Sequence, residues 1–141
     1  MSAIPASFEA FRIHEDAAGY RAGVESITLD ELSAGEVIIR VSWSGINYKD
    51  ALAATGKGRI LKRFPLVGGI DVAGTVVQSA SDDFQPGDEV LANGSGLSEI
   101  RDGGFSEYLR LPGDIVVRLP AGLSPREAMG LGTAGFTAAM S

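Results

Sequence analysis

Asn47 and Tyr48 stand where a scaffold holds side chains most firmly, after a strong strand pattern and at the opening of a short helical one. A phenol at that point can donate a hydrogen bond to developing negative charge, as proton donor or cofactor contact. The same residues have plainer uses, since Asn47 can cap the free amides of the helix and Tyr48 can simply pack. Asp50 is expected to fix the loop by hydrogen bonding, and Lys49 reads as a solvated surface charge. Asp71 falls in the largely apolar stretch from Phe64 to Val76 and would be costly to bury unless paired.

Gly130, Gly132 and Gly135 match the spacing of a dinucleotide-binding loop. That mechanism needs a strand before the glycines and an acidic residue about 20 positions beyond them. Here Ser124-Pro125-Arg126-Glu127 precedes them, an N-cap serine with proline and glutamate at the first and third helical positions. The glycines are therefore expected to pack within a helix that starts at Ser124. Phe136, Leu131 and Met129 on that helix are expected to be exposed and to favour self-association or partial unfolding of the last segment.

The elements that position these residues are mostly strands. Glycine recurs at short intervals (19 in all) between brief β-branched runs, which predicts an all-β barrel or sandwich. The clearest strand is Val37 to Ser44, with Val37, Ile39, Val41 and Trp43 on one face. Others are predicted at Phe8–Ile13, Val24–Leu29, Asp71–Gln78, Glu89–Ala92, Phe105–Leu111 and Ile115–Arg118. A short helix is predicted from Tyr48 to Ala54, with Gly56 ending it in a left-handed conformation. Lys57, Arg59, Lys62 and Arg63 mark an exposed basic loop that could guide an anionic substrate or cofactor phosphate.

With 141 residues and 45% apolar composition, the chain has enough material for one core. A net charge of −6 spread along the chain argues against nucleic acid as a partner. No cysteine is present and His14 is the lone histidine, so disulfides are excluded and the ligand set for a transition metal is nearly empty. The N-terminus lacks a basic run followed by an apolar stretch, and no window of about 18 apolar residues occurs. A cytoplasmic protein with no membrane contact is expected.

Five motifs in order carry a family resemblance: Ser-Gly-Ile-Asn-Tyr-Lys-Asp at 44–50, Gly-Ile-Asp-Val-Ala-Gly-Thr-Val at 69–76, Gly-Asp-Glu-Val at 87–90, Gly-Gly-Phe-Ser-Glu-Tyr at 103–108 and Gly-Thr-Ala-Gly-Phe-Thr-Ala at 132–138. Together they resemble the medium-chain dehydrogenase/reductases, and within them the YhdH/YhfP group of quinone oxidoreductases that includes acrylyl-CoA reductase. The resemblance implies a mainly β, GroES-like, partly open barrel with short helices over residues 1–123. Residues 124–141 would begin the interdomain helix that crosses into a Rossmann domain. Zinc-dependent relatives carry ligands at the positions of Asn47, Ile70 and Thr133, and all three ligand types are lost here, so no metal is expected.

By the same resemblance, the reaction is metal-free reduction by NADPH of the C=C bond of an α,β-unsaturated carbonyl. Asn47 would orient the carbonyl or the nicotinamide. Tyr48 would contact the nicotinamide end of the cofactor, either binding it only or also donating a proton, and Thr137 would touch the nicotinamide ring, with Thr133 a further cofactor contact. Small enones, quinones or acyl-CoA thioesters are the implied partners, and the full-length form is expected to be a homodimer. The chain is expected to be a truncated part of that form and inactive alone. Competing readings are a quinone or aldehyde reductase of the same family, or a stand-alone GroES-like binding module without catalysis.

Overall fold

The computed structural model describes residues 3–141. Strand β1 (Phe8–Asp16) and strand β2 (Gly19–Ile27) pair along their full length as an antiparallel hairpin. The hairpin is longer than predicted, because most of β2 is exposed and lacks the apolar alternation that would mark its first half in sequence. Strand β3 (Val37–Ser44) leads to helix α1 (Tyr48–Thr55), after which come β4 (Leu66–Val67), β5 (Asp71–Ser79), β6 (Glu89–Asn93), β7 (Tyr108–Leu111) and β8 (Val117–Arg118). Helix α2 (Pro125–Met140) closes the order.

A three-stranded sheet runs β2-β1-β4, and a five-stranded sheet runs β7-β3-β5-β6-β8, with every strand pair antiparallel. Residues 104–107 stitch the sheets together. Glu107 donates its N–H to Glu9 (3.0 Å) while its carbonyl accepts from Val41 (2.9 Å), and Phe11 donates to the Phe105 carbonyl (2.8 Å). The predicted strand from Phe105 is therefore shared between two sheets, and only Tyr108–Leu111 runs in the β3 ladder. The result is a mainly β, partly open barrel rather than a closed one.

Valines, isoleucines and leucines of β3, β5, β6 and β7 form the larger core, with Val37, Val72, Val76, Val90, Leu109 and Leu111 all fully covered. Such burial of branched side chains supplies the main drive for folding. A second cluster of Phe8, Ala10, Ile27, Leu32, Val67 and Tyr108 lies under the hairpin. Alternation along β3 does not persist as predicted. Its pairing with β5 slips between Ile38 and Ile39 and again between Val41 and Trp43. A bulge re-aims the side chains that follow it. Thus Ile38 is buried beside Val37 and Ile39, whereas Trp43 is 47% exposed.

The cations of the basic loop are exposed, but Leu61 between them is buried against Ile13, Ala53 and Leu66 and anchors the segment. Helix α1 ends at Gly56, whose φ of 69° is the left-handed C-cap expected from sequence. Helix α2 starts as predicted. Ser124 accepts from the Glu127 N–H (3.2 Å), and the Glu127 carboxylate accepts from the Ser124 N–H (2.9 Å) and hydroxyl (2.8 Å). These donors hold the Glu127 carboxyl below its ordinary range. Met129, expected to be exposed, is instead buried with Ala73 and Ala128 where α2 packs on the sheet, while Leu131 and Phe136 are exposed. No helix among the described residues is long and apolar enough to cross a membrane.

Candidate active site

The end of β3, the start of β5 and the middle of α2 meet at one buried carboxylate. Asp71, only 1% exposed, opens β5. Its Oδ2 accepts from the Asn47 side-chain amide (2.9 Å) and from the Thr133 N–H (3.0 Å), and its Oδ1 accepts from the Thr133 hydroxyl (2.5 Å). Three donors meet the requirement that a buried charge be hydrogen-bonded.

Asp50, also buried, is the second carboxylate. It accepts from the Asn47 N–H (2.8 Å), the Asn47 amide (3.2 Å) and the Ile70 N–H (3.0 Å). It thereby pins the entrance of α1 to the residue before β5, the loop-fixing part its sequence context suggests. Asn47 occupies the N-cap of α1 in extended backbone (φ −116°, ψ 161°). With a carboxylate on each side, its amide must present nitrogen to both. Both amide hydrogens are then committed, and Asn47 has no donor left for a ligand.

Thr133 reaches Asp71 because α2 is broken one residue earlier. Gly132 has φ 49° and ψ −158°, outside helical space, which turns the Thr133 N–H out of the helix ladder and onto Asp71. A Cβ at Gly132 would lie 2.8 Å from Asp71 Oδ2, so both conformation and space require glycine. Packing glycines in an unbroken helix, the expectation from sequence, are thus corrected at this position. Thr137, one turn on, donates its hydroxyl to the Thr133 carbonyl (2.9 Å).

Thr133 and Thr137 line a cleft of about 690 Å³ between α2 and the β6–β8 edge. Leu91, Ile115, Val117 and Phe136 form its apolar walls, and Asn93, Gly94 and Ser95 its polar end. Mostly apolar walls with a few placed polar groups are the usual make-up of a cofactor or small-molecule site. Among the described residues no group of three or more His, Cys, Asp and Glu side chains could hold a metal ion.

Asn47 and Thr133 therefore meet on Asp71, Thr133 and Thr137 line the cleft, and neither Asn47 nor Tyr48 is among its lining residues. Tyr48 is 81% exposed at the first position of α1, beside Ile46, and its hydroxyl makes no hydrogen bond within the described residues. Next to it, Lys49 pairs with Glu99 (3.1 Å), which Lys62 also contacts (2.6 Å). Lys62 first and Lys49 second hold the Glu99 carboxyl below the usual range. Asp71 is the residue that sequence reading left without a role. Its signal was present, a lone acid in a buried apolar run, but its partners lie 24 and 62 positions away.

The two-sheet barrel fits one class. Residues 33–121 match the alcohol dehydrogenase GroES-like domain, and the chain belongs to that family. Among solved structures it is similar to the yhdH oxidoreductase of Salmonella enterica in complex with NADP, with a TM-score of 0.89 and 48% identity over 94% of this chain and 41% of that one. It is likewise similar to Bacillus subtilis yhfP with NAD bound, at a TM-score of 0.88 and 47% identity over 96% of this chain and 41% of that one. Acrylyl-CoA reductase AcuI of Ruegeria pomeroyi is 40% identical over 127 residues, 90% of this chain and 38% of AcuI. The chain spans about two fifths of the length of the curated relatives it matches. The resemblance to the YhdH/YhfP group of medium-chain reductases holds.

Proposed function

We propose that this chain is the catalytic-domain portion of an NADPH-dependent oxidoreductase. Its reaction is reduction of the C=C bond of an α,β-unsaturated carbonyl compound, with acrylyl-CoA-like thioesters as the substrate class. The observation that carries this reading is the meeting of Asn47 and Thr133 on Asp71 beside a cleft that Thr137 also lines. In this reading, residues 1–123 are the GroES-like catalytic unit and residues 124–141 begin the helix toward a nucleotide-binding domain. The whole protein is a cytoplasmic homodimer. Relatives solved with NADP and with NAD support a nicotinamide cofactor, and the choice of NADPH is part of the proposal.

The cleft suits the nicotinamide end of that cofactor, a flat ring with one polar amide, because apolar walls face Thr133, Thr137 and Asn93. Bound NADPH supplies the two electrons of the reduction. Conjugation lets the carbonyl oxygen take up the resulting charge, so a hydrogen-bond donor can stand in for a Lewis acid. The positions where zinc-dependent relatives hold ligands carry an amide, an alkyl group and a hydroxyl. Two of these, Asn47 and Thr133, are committed to Asp71. Asn47 cannot donate to the carbonyl, since both of its amide hydrogens are spent, so its part is to hold α1 in register and to offer its oxygen. Tyr48 keeps an uncommitted hydroxyl and is the residue assigned to proton donation.

The test is NADPH consumption by the whole protein, this chain together with its nucleotide-binding domain, with acrylyl-CoA, an enone and a quinone, without added metal. Turnover of the thioester is expected, and Tyr48→Phe should lower kcat by roughly 100-fold. Its effect on stability should stay within about 0.5 kcal/mol, as for an exposed side chain. Absence of turnover with all three substrates would overturn the proposal. Turnover of the quinone alone would move the substrate class.

A further inference from the structure

We propose that the cavity beyond the C-terminal end of helix α1 holds the nucleotide end of the thioester substrate, adenosine 3′,5′-bisphosphate, with its adenine on Tyr20 and its phosphates on Lys57 and Arg59. The inference rests on the acyl-CoA reading of the substrate and places the part of that substrate remote from the reacting bond.

The chain carries a net charge of −6, yet between Asp50 and Asp71 it has four cations and no acid. Their partners divide them. Lys62 pairs with Glu99 (2.6 Å), and Arg63 donates to the Ile100 carbonyl (2.8 Å) and the Ser33 hydroxyl (2.7 Å). Lys57 and Arg59 are exposed and make no ion pair or side-chain hydrogen bond among the described residues. Two uncommitted cations side by side suit a phosphate ligand, the arginine as a planar fork and the lysine as a point charge.

Arg59 also lines a cavity of about 390 Å³ with Glu15, Tyr20, Leu61 and Phe64. Glu15 and Tyr20 are directly opposite each other across the β1–β2 hairpin, which brings both side chains to one face. Tyr20 is fixed there, because its hydroxyl donates to the Ala53 carbonyl and its ring meets Phe64 edge-on at 5.7 Å between centroids. Gly56 lets the chain cross that ring, since a Cβ at its position would lie 2.9 Å from it. A nucleobase gains by stacking on an aromatic ring or a guanidinium plane. Glu15 has no partner among the described residues, and a carboxylate only accepts, so it favours a base with an exocyclic amine, as adenine has. Tyr48 and Gly56 stand at opposite ends of α1, about 12 Å apart along its axis. The pantetheine arm that separates a thioester from its nucleotide is an extended chain able to cover that distance.

The discriminating experiment compares, on the whole protein, acrylyl-CoA with the acrylyl thioester of N-acetylcysteamine, which presents the same acyl group without the nucleotide. In the double variant Lys57→Ala/Arg59→Ala, the ratio of kcat/KM for acrylyl-CoA over the truncated thioester should fall about 10-fold, the loss of one charge-assisted hydrogen bond. Both side chains are exposed, so the variant keeps its fold. Added salt should lower the same ratio in the parent and have less effect in the variant. An unchanged ratio in the variant, whether both thioesters slow alike or neither does, overturns the inference.

Calorimetry of adenosine 3′,5′-bisphosphate binding to the whole protein saturated with NADP separates this site from the reductase reading. Binding is expected in the parent and should weaken about 10-fold in the double variant, and Glu15→Gln should narrow the preference for adenosine over inosine 3′,5′-bisphosphate. No binding, or equal binding by parent and double variant, overturns the inference. Preference for adenosine 2′,5′-bisphosphate, the corresponding end of NADPH, would assign the site to the cofactor and also overturn it. The expected binding without turnover of any thioester removes the reductase reading and leaves the nucleotide site. Turnover of both thioesters without nucleotide binding removes only the site.

Discussion

Asp71 and Asp102 are both buried, at 1% and 3% exposure, and both satisfy the same requirement by collecting donors. Asp102 accepts from the Ser33 N–H (2.6 Å), the Ser33 hydroxyl (2.7 Å) and the Val67 N–H (2.7 Å), while Ser33 in turn accepts from the Asp102 N–H (2.9 Å) and Arg63 (2.7 Å). Every one of those partners is part of the scaffold, and the circuit ties the segment before β3 to β4. Asp71 draws instead on the side chains of Asn47 and Thr133, one at the mouth of a helix and one on the wall of a cleft. A buried carboxylate is thus no mark of a functional site by itself. What distinguishes the two is whether the donors they capture face something a ligand can reach.

The contrast can be broken by substitution. Asp102→Ala should have the largest effect, about 3 kcal/mol of lost stability, because it strands backbone donors in the interior. Asp71→Ala should cost less, about 2 kcal/mol, since its partners are only partly buried, but it alone should alter ligand binding in the cleft. Urea denaturation with parallel NADPH titration reads both, and loss of binding in Asp102→Ala at retained fold would erase the distinction. Next in size, Gly132→Ala should destabilise by about 1–2 kcal/mol, because a side chain at φ 49° is strained and its Cβ meets Asp71. A neutral or stabilising result would show that α2 runs straight through Thr133.

The smallest effect expected is at Glu99, which ties α1 to the segment carrying Lys62. Its folded carboxyl sits below the unfolded range, so its contribution is fully present above that range and is lost as pH falls through the folded value. Both lysines are substantially exposed, so the contribution is at most about 1 kcal/mol and shrinks with salt. Stability measured against pH for Glu99→Gln should show a shallower acid-side decline than the parent, and identical curves would remove this tie.

Much of the frame was legible because its determinants are local. Alternation in Val37 to Ser44, the Ser124 to Glu127 cap and the glycine after α1 each predict an element the structure contains. Long-range pairing was not legible. The first half of β2 is held by β1 rather than by its own pattern, and residues 104–107 are shared between sheets. Of the candidate site, Asn47, Tyr48, Thr133 and Thr137 could be named through family motifs. Their relation could not, because it runs through Asp71 and through a break at Gly132 that a small, apolar helical stretch does not announce.

The central claim is that Asp71 joins Asn47 and Thr133 into one unit, and a double-mutant cycle between them tests it most directly. Asn47→Ala, Thr133→Val and the pair, measured by denaturant unfolding, should show a coupling of at least about 0.5 kcal/mol, since both donors serve the same carboxylate. Additive losses, within about 0.3 kcal/mol, would mean that the two residues act independently and would contradict the account.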